Sequence, residues 1–283
     1  MHARETRLAK LSAVAVLFLF SITPFLVKTT SVDPFAYSVV RSLVACLIIP
    51  LLARRAPKLD LSRYSVVCIV SGAVSNVLFL AACHYTDVTS AVAVTYSWVA
   101  LVPIVGWLWL RTRTAKRDLV LLGFGAVGLV LIFADQKSLR SSFDIGKLMA
   151  LGSGIAWAIY IVSNTKLRGG ADMAFYVNVV SALMGAAVFA VSGAPLQIEA
   201  WDWVPMILNG VANGLVMLCF NYSLKYWNTY AVTVVVSAEL AISPLWVIVF
   251  LGERPGALVW AGMAVMIVTM LVALVRPAGK EEA

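Results

Sequence analysis

Long apolar runs separated by short polar turns fill almost the whole chain. The runs are continuous and show no period-two alternation, so they predict helices rather than strands. Crossing segments fall at about 9–28, 34–53, 64–85, 88–110, 118–135, 145–166, 172–192, 203–225, 229–250 and 256–275, each close to the roughly 20 residues that span a hydrocarbon core. The first run follows Arg4, Arg7 and Lys10 but lacks a small-residue cleavage site, and it reads as an uncleaved first helix.

Two stretches of this pattern read as copies. Pro103–Arg113 (PIVGWLWLRTR) and Pro244–Arg254 (PLWVIVFLGER) each run from a proline through an apolar stretch to a basic turn. Each is followed by one more long apolar segment. Lys10-Leu11 matches Lys147-Leu148 in the same way. So long a period indicates a duplicated half, a construction common among secondary transporters. The division falls between 1–135 and 136–283, at the short polar stretch Asp135–Asp144.

Charge gives the halves a direction. With alternating crossings, the side of the N-terminus collects Arg4, Arg7, Lys10, Arg54, Arg55, Lys58, Arg63, Arg111, Arg113, Lys116, Arg117, Lys166, Arg168, Lys225, Arg276 and Lys280. The other side has Lys28, Lys137, Arg140, Lys147 and Arg254. This bias predicts both termini in the cytoplasm. Five crossings per half is odd, so the second half enters from the opposite side and the repeat is inverted. The expected fold is an all-α integral membrane protein of ten transmembrane helices in two inverted five-helix repeats.

Composition agrees. The 283 residues are 61% hydrophobic and 13% charged, against roughly half and one quarter in soluble domains. The net charge of +8 is explained by basic loops at lipid headgroups, without a nucleic-acid partner. Cys46, Cys68, Cys83 and Cys219 lie inside apolar runs without ligand spacing and read as packed thiols. There is no phosphate-binding glycine loop, no metal-ligand cluster and no nucleophile with a base, so neither an enzyme nor a cofactor or metal is expected.

The chain resembles the drug/metabolite transporter superfamily, in its ten-helix EamA-type branch. The resemblance rests on IGKLMALGSGIAWAIYIV (Ile145–Val162), Ser243-Pro244 followed by LGER (Leu251–Arg254), and Arg41 in the second crossing. It departs in the first half, where Thr112 stands opposite Glu253. The resemblance implies export of small metabolites, often amino acids or related compounds, although some members import. It also implies a cavity lined by crossings 1, 3, 4, 6, 8 and 9.

Ionisable groups at membrane depth are costly and therefore site candidates. Glu239 falls about eleven residues into the ninth crossing, near the midplane. A carboxyl there needs a proton or a cation, which makes it the substrate and ion-coupling candidate. Trp98 occupies the equivalent place in the first half, and an aromatic face opposite a carboxylate suits a nitrogen cation. Asn76 and Asn213 are equivalents, and Asn209, Asn213 and Asn221 form a stripe at fourfold spacing. Such amides serve interhelical bonding or substrate binding equally. Trp157 and Tyr160 share a face with Ser153 and Asn164, and Phe20 stands at the place equivalent to Trp157. Tyr96 and Ser97 are similar candidates. Arg41 reads as a structural arginine on helix-end carbonyls, or as a partner of Glu239. Pro103 and Pro244 are hinge candidates, Glu253 is structural, and Trp201, Trp203 and Trp227 are interfacial anchors.

The leading function is gradient-driven export of a small polar metabolite, with protons as a candidate coupling ion and the bilayer as solvent. The alternatives are an importer of a vitamin or nucleoside-like solute, and a membrane subunit or enzyme without transport. Oligomeric state is left open.

Overall fold

The computed structural model describes residues 2–111, 115–134, 144–167, 170–242 and 256–275, and among these all regular structure is helical. The first half contains α1 (His2–Ser21), α2 (Thr23–Lys28), α3 (Pro34–Ala53), α4 (Arg63–Tyr85), α5 (Val88–Thr95), α6 (Trp98–Leu110) and α7 (Lys116–Phe133). The second contains α8 (Ile145–Leu167), α9 (Ala171–Ser192), α10 (Trp203–Tyr226), α11 (Thr229–Ser237) and α12 (Ala257–Val275).

Local chemistry sets the boundaries. Asp33, Ser62, Asp87 and Asn228 cap their helices by accepting backbone N–H bonds, which satisfies donors that have no intrahelical partner. The caps Asp87 and Asn228 precede the fourth and ninth crossings at equivalent places in the two halves. Pro24 sits in the first turn of α2 and interrupts the first crossing after Ser21.

Among the described residues, eight segments are long and apolar enough to cross a membrane. The fifth crossing, α7, is equally long but begins Lys116-Arg117-Asp118. The ninth is described only over Thr229–Ile242. With these two the crossings are ten. Large apolar side chains such as Leu47, Leu51, Trp107 and Val130 face outward, where lipid is an acceptable neighbour.

The packing pairs exchange between halves. α1 packs on α10, as its counterpart α8 packs on α4. α3 packs on its own counterpart α9, and α7 on its counterpart α12. α3 against α10 is mirrored by α9 against α4. This self-complementary exchange is the signature of a two-fold relation. Five crossings in each half put that axis in the membrane plane, so the repeats are inverted.

Three expected crossings are not single helices. The first is divided at Ile22, and the fourth at Tyr96 and Ser97. The ninth turns at Ala238 before resuming over 239–242.

Candidate functional site

The interruptions of the fourth and ninth crossings meet near the middle of the bundle. Both switch to tighter i to i+3 hydrogen bonding: Ser97 N–H donates to Val94 and Val99 to Tyr96, each at 3.1 Å. Ala238 likewise donates to Val235 at 3.2 Å and Ala241 to Ala238 at 3.0 Å. Neither break falls on proline or glycine. The segments before them, VTSAVAVT and TYAVTVVVS, are rich in β-branched residues, which are weak helix formers. Pro103 lies inside continuous α6, beyond the break. Pro244 and Glu253 fall outside the described residues.

Glu239, Tyr96 and Trp98 gather at these breaks. Glu239 is 3% exposed and shares a side-chain hydrogen bond with Tyr96. The Tyr96 and Trp98 rings lie 5.6 Å apart. Thr95 and Ser97 flank Tyr96, and their buried hydroxyls have no hydrogen-bond partner among the described residues. Gly154 of α8 makes this approach possible, because a Cβ there would lie 2.5 Å from the Thr95 carbonyl oxygen and 2.7 Å from Ser97 Oγ.

One turn along α8, Trp157 carries an aromatic stack. It lies 4.8 Å from Tyr160 and 5.3 Å from Phe220, and it meets Phe20 edge-on at 6.1 Å. The Tyr160 hydroxyl donates to Asn221 Oδ1 at 2.8 Å, which also accepts from Asn164 Nδ2. Tyr96, Trp98, Trp157, Tyr160 and Phe220 belong to one continuous apolar core.

The remaining expected residues lie elsewhere. Arg41 is 2% exposed and donates from Nε to Asn209 Oδ1 (3.2 Å) and from Nη2 to Asn213 Oδ1 (2.8 Å). Its partners are thus amide side chains rather than helix-end carbonyls, and it makes no ion pair among the described residues. Asn213 donates to Asn178 Oδ1 at 2.7 Å, and Asn209 to the Tyr37 hydroxyl at 2.9 Å. Asn76 donates to Ser181 Oγ at 3.4 Å. The stripe on α10 therefore joins several neighbouring helices, and Asn76 and Asn213 do not accompany Glu239. Sequence reasoning missed Thr95, Phe220 and Asn178. The β-branched run before Tyr96 was the available signal for the first.

Polar contacts join neighbouring helices at each end of the bundle. Away from the N-terminus, Asp144 accepts from the Lys147 backbone N–H (2.8 Å) and the Thr86 hydroxyl (2.9 Å), with Lys147 Nζ at 3.9 Å. These hydrogen bonds hold its carboxyl below the usual range, the Lys147 N–H contributing most. At the N-terminal end, Lys10 donates to the Leu274 carbonyl and lies 5.4 Å over the ring of Trp227. Trp227, expected as an interfacial anchor, is only 7% exposed, while Trp201 and Trp203 do lie exposed. Two surface clefts, of about 540 and 360 Å³, lie between α7 and α12 and around Arg55, Tyr222 and Lys225; neither includes Glu239.

A bundle of two inverted five-helix repeats, with interrupted helices and a carboxylate enclosed between them, is the architecture of a helical transporter. The chain matches the EamA-like transporter family twice, over residues 7–134 and 144–275. It belongs to that family and has the build of a multi-pass membrane protein. A Bacillus subtilis (strain 168) protein described as "Uncharacterized transporter YxxF" is 25% identical over 205 residues, covering 69% of this chain. The match spans 64% of that relative's length. A solved structure described as "Crystal structure of protein" superposes with a TM-score of 0.81 at 16% identity, covering 94% of this chain and 98% of the other; it is similar in fold.

Proposed function

We propose that the protein is a secondary active transporter exporting a small polar metabolite that bears an amino group, an amino acid or related compound, by alternating access. The observation that carries this reading is Glu239, buried beside Tyr96 where two repeat-related helix breaks meet, with Tyr96 flanked by the hydroxyls of Thr95 and Ser97, which have no partner among the described residues. A carboxylate without water around it is stable only when neutralised. A proton and a substrate ammonium group compete for that task, so loading one releases the other and couples their movements. Trp98, Trp157 and Tyr160 supply faces for the cation and its apolar part. Asn164, through Asn221, orients the Tyr160 hydroxyl.

The repeats, divided near 135–136, rock against one another, with Pro103 and Pro244 as hinges. The charge bias supports placing both termini in the cytoplasm and the protein in the bacterial inner membrane. The inverse direction, uptake of a vitamin or nucleoside-like solute, uses the same parts.

The test is reconstitution. Purified protein is first screened by thermal shift against amino acids, nucleosides and vitamins, because a ligand of the folded state raises the melting temperature. The radiolabelled hit is then followed in proteoliposomes under an imposed pH gradient. Saturable flux is expected, with gradient dependence abolished in Glu239→Gln. Unchanged flux and pH dependence in that variant overturns the role of Glu239. Net accumulation in right-side-out vesicles, against extrusion, decides direction.

A further inference from the structure

The Arg41 cluster holds a second feature that the transport reading does not use. Asn209 and Asn213 turn their amide oxygens to the guanidinium and spend their amide donors on Tyr37 and Asn178. The Asn178 amide in turn donates to the Ala174 carbonyl at 2.8 Å. The atoms left over are Arg41 Nη1 and the hydroxyls of Ser38 and Ser42, all buried and without a hydrogen-bond partner among the described residues. Ser38, Arg41 and Ser42 stand at i, i+3 and i+4 on α3, hence on one helix face. Ser38 and Ser42 are 0% exposed.

Two properties of this set define its complement. Every leftover group can donate a hydrogen bond, and none is an obligate acceptor. The guanidinium is a full positive charge that no carboxylate balances among the described residues. A buried charge held only by neutral amides is costly, and three unmet donors beside it add to that cost. One small anion would meet both deficits at once. The second half has no such charge: Asn178 stands at the place equivalent to Arg41, at the spacing that relates Asn76 to Asn213.

The geometry points to an anion-binding site formed by Arg41, Ser38 and Ser42 at the junction of α3, α9 and α10, taking a small monovalent anion, either a halide or the carboxylate of a small acid. It lies on regularly hydrogen-bonded helices, apart from the breaks at Tyr96 and Ala238. Its occupant therefore neutralises the Arg41 charge irrespective of the state of Glu239.

The experiment measures thermal unfolding of the purified protein in nanodiscs. Sodium gluconate is replaced stepwise by sodium chloride, bromide, formate or acetate at constant ionic strength. At least one of these anions is expected to raise the melting temperature saturably, by about 5 °C. The Ser38→Ala/Ser42→Ala variant should lose at least half of that rise. In gluconate it should melt no lower than the parent, because it has lost only unmet donors. A rise with chloride and bromide identifies a halide site, and one confined to formate and acetate identifies a carboxylate site. Absence of any rise overturns the proposal, as does an equal rise in the double variant. Bromide located by anomalous diffraction away from Arg41 overturns it as well.

Discussion

Glu239 and Arg41 are both almost wholly buried in one bundle, yet their surroundings differ in kind. Arg41 is tied by side-chain amides to α10, which α10 extends to α9 and to Tyr37 of α3. The helices involved are regular there. Glu239 begins a helical stretch just after a break, facing Tyr96 at another break. A network spanning regular helices resists relative motion. A carboxylate between helix ends can change partners by local rotation, with little cost to packing elsewhere. The proposed division of labour follows: Arg41 holds helices together, and Glu239 exchanges ligands.

The strongest way to break this comparison is to remove Arg41. Arg41→Leu abolishes two hydrogen bonds from a charged group and leaves the Asn213 amide oxygen unmet, while the Asn209 oxygen keeps the Thr23 hydroxyl at 3.3 Å, an expected loss of about 3 kcal/mol. Chemical or thermal unfolding in nanodiscs measures it, and the surviving folded protein should keep its pH-dependent flux. A loss of flux with unchanged stability would reverse the assignment of roles.

Gly154→Ala tests the other centre. The new methyl would press on the Thr95 carbonyl, a backbone atom that cannot move without moving the break. The expected cost is about 2 kcal/mol, with flux reduced more than stability alone explains. Gly123→Ala is the control, because nothing lies within 4 Å of its added methyl; its effect should stay within about 0.5 kcal/mol. Equal behaviour of the two variants would detach the break from function.

A third polar contact is made by Asn221 of α10, whose oxygen accepts from both Tyr160 and Asn164 of α8. Asn221→Leu should cost about 1 kcal/mol, the modest scale of interhelical hydrogen bonds in membranes. Releasing the Tyr160 hydroxyl should also weaken solute binding in a direct titration. If binding is unchanged, the aromatic stack belongs to packing alone.

The crossings and their inversion were legible because lipid leaves the backbone few choices. Long apolar runs must be helices, and basic loops mark one face. Repeat alignment also puts Trp98 and Glu239 at equivalent places in the fourth and ninth crossings. What escaped was how the polar side chains sort among neighbours. Asn76 and Asn213 occupy equivalent positions, but Asn213 meets Arg41 and Asn178 while Asn76 meets Ser181. Spacing along one helix sets a face, and the partner on the next helix decides the bond. The breaks escaped for a related reason. Proline drew attention to residues 103 and 244, whereas β-branched runs preceding Tyr96 and Ala238 mark where two helices turn.

The smallest expected effect contrasts the two ends of the bundle. Lys10 and Lys147 are repeat equivalents, but Lys147 works with a carboxylate and Lys10 with a carbonyl and an indole ring. The carboxyl of Asp144 titrates below its ordinary value because the Lys147 N–H, then Thr86, favour its ionised form. Its contribution is complete above the unfolded value of about 3.9 and fades as pH falls through the lower folded value. Asp144→Asn should therefore melt slightly below the parent at pH 7, and that gap should close below about pH 4. No such closure is expected for Trp227→Leu, which disturbs Lys10 at the other end without touching a titrating group. Melting curves of the three proteins at pH 7 and pH 3 decide it. A gap for Asp144→Asn as wide at pH 3 as at pH 7 would show that the carboxylate charge does not help to join the helices at that end.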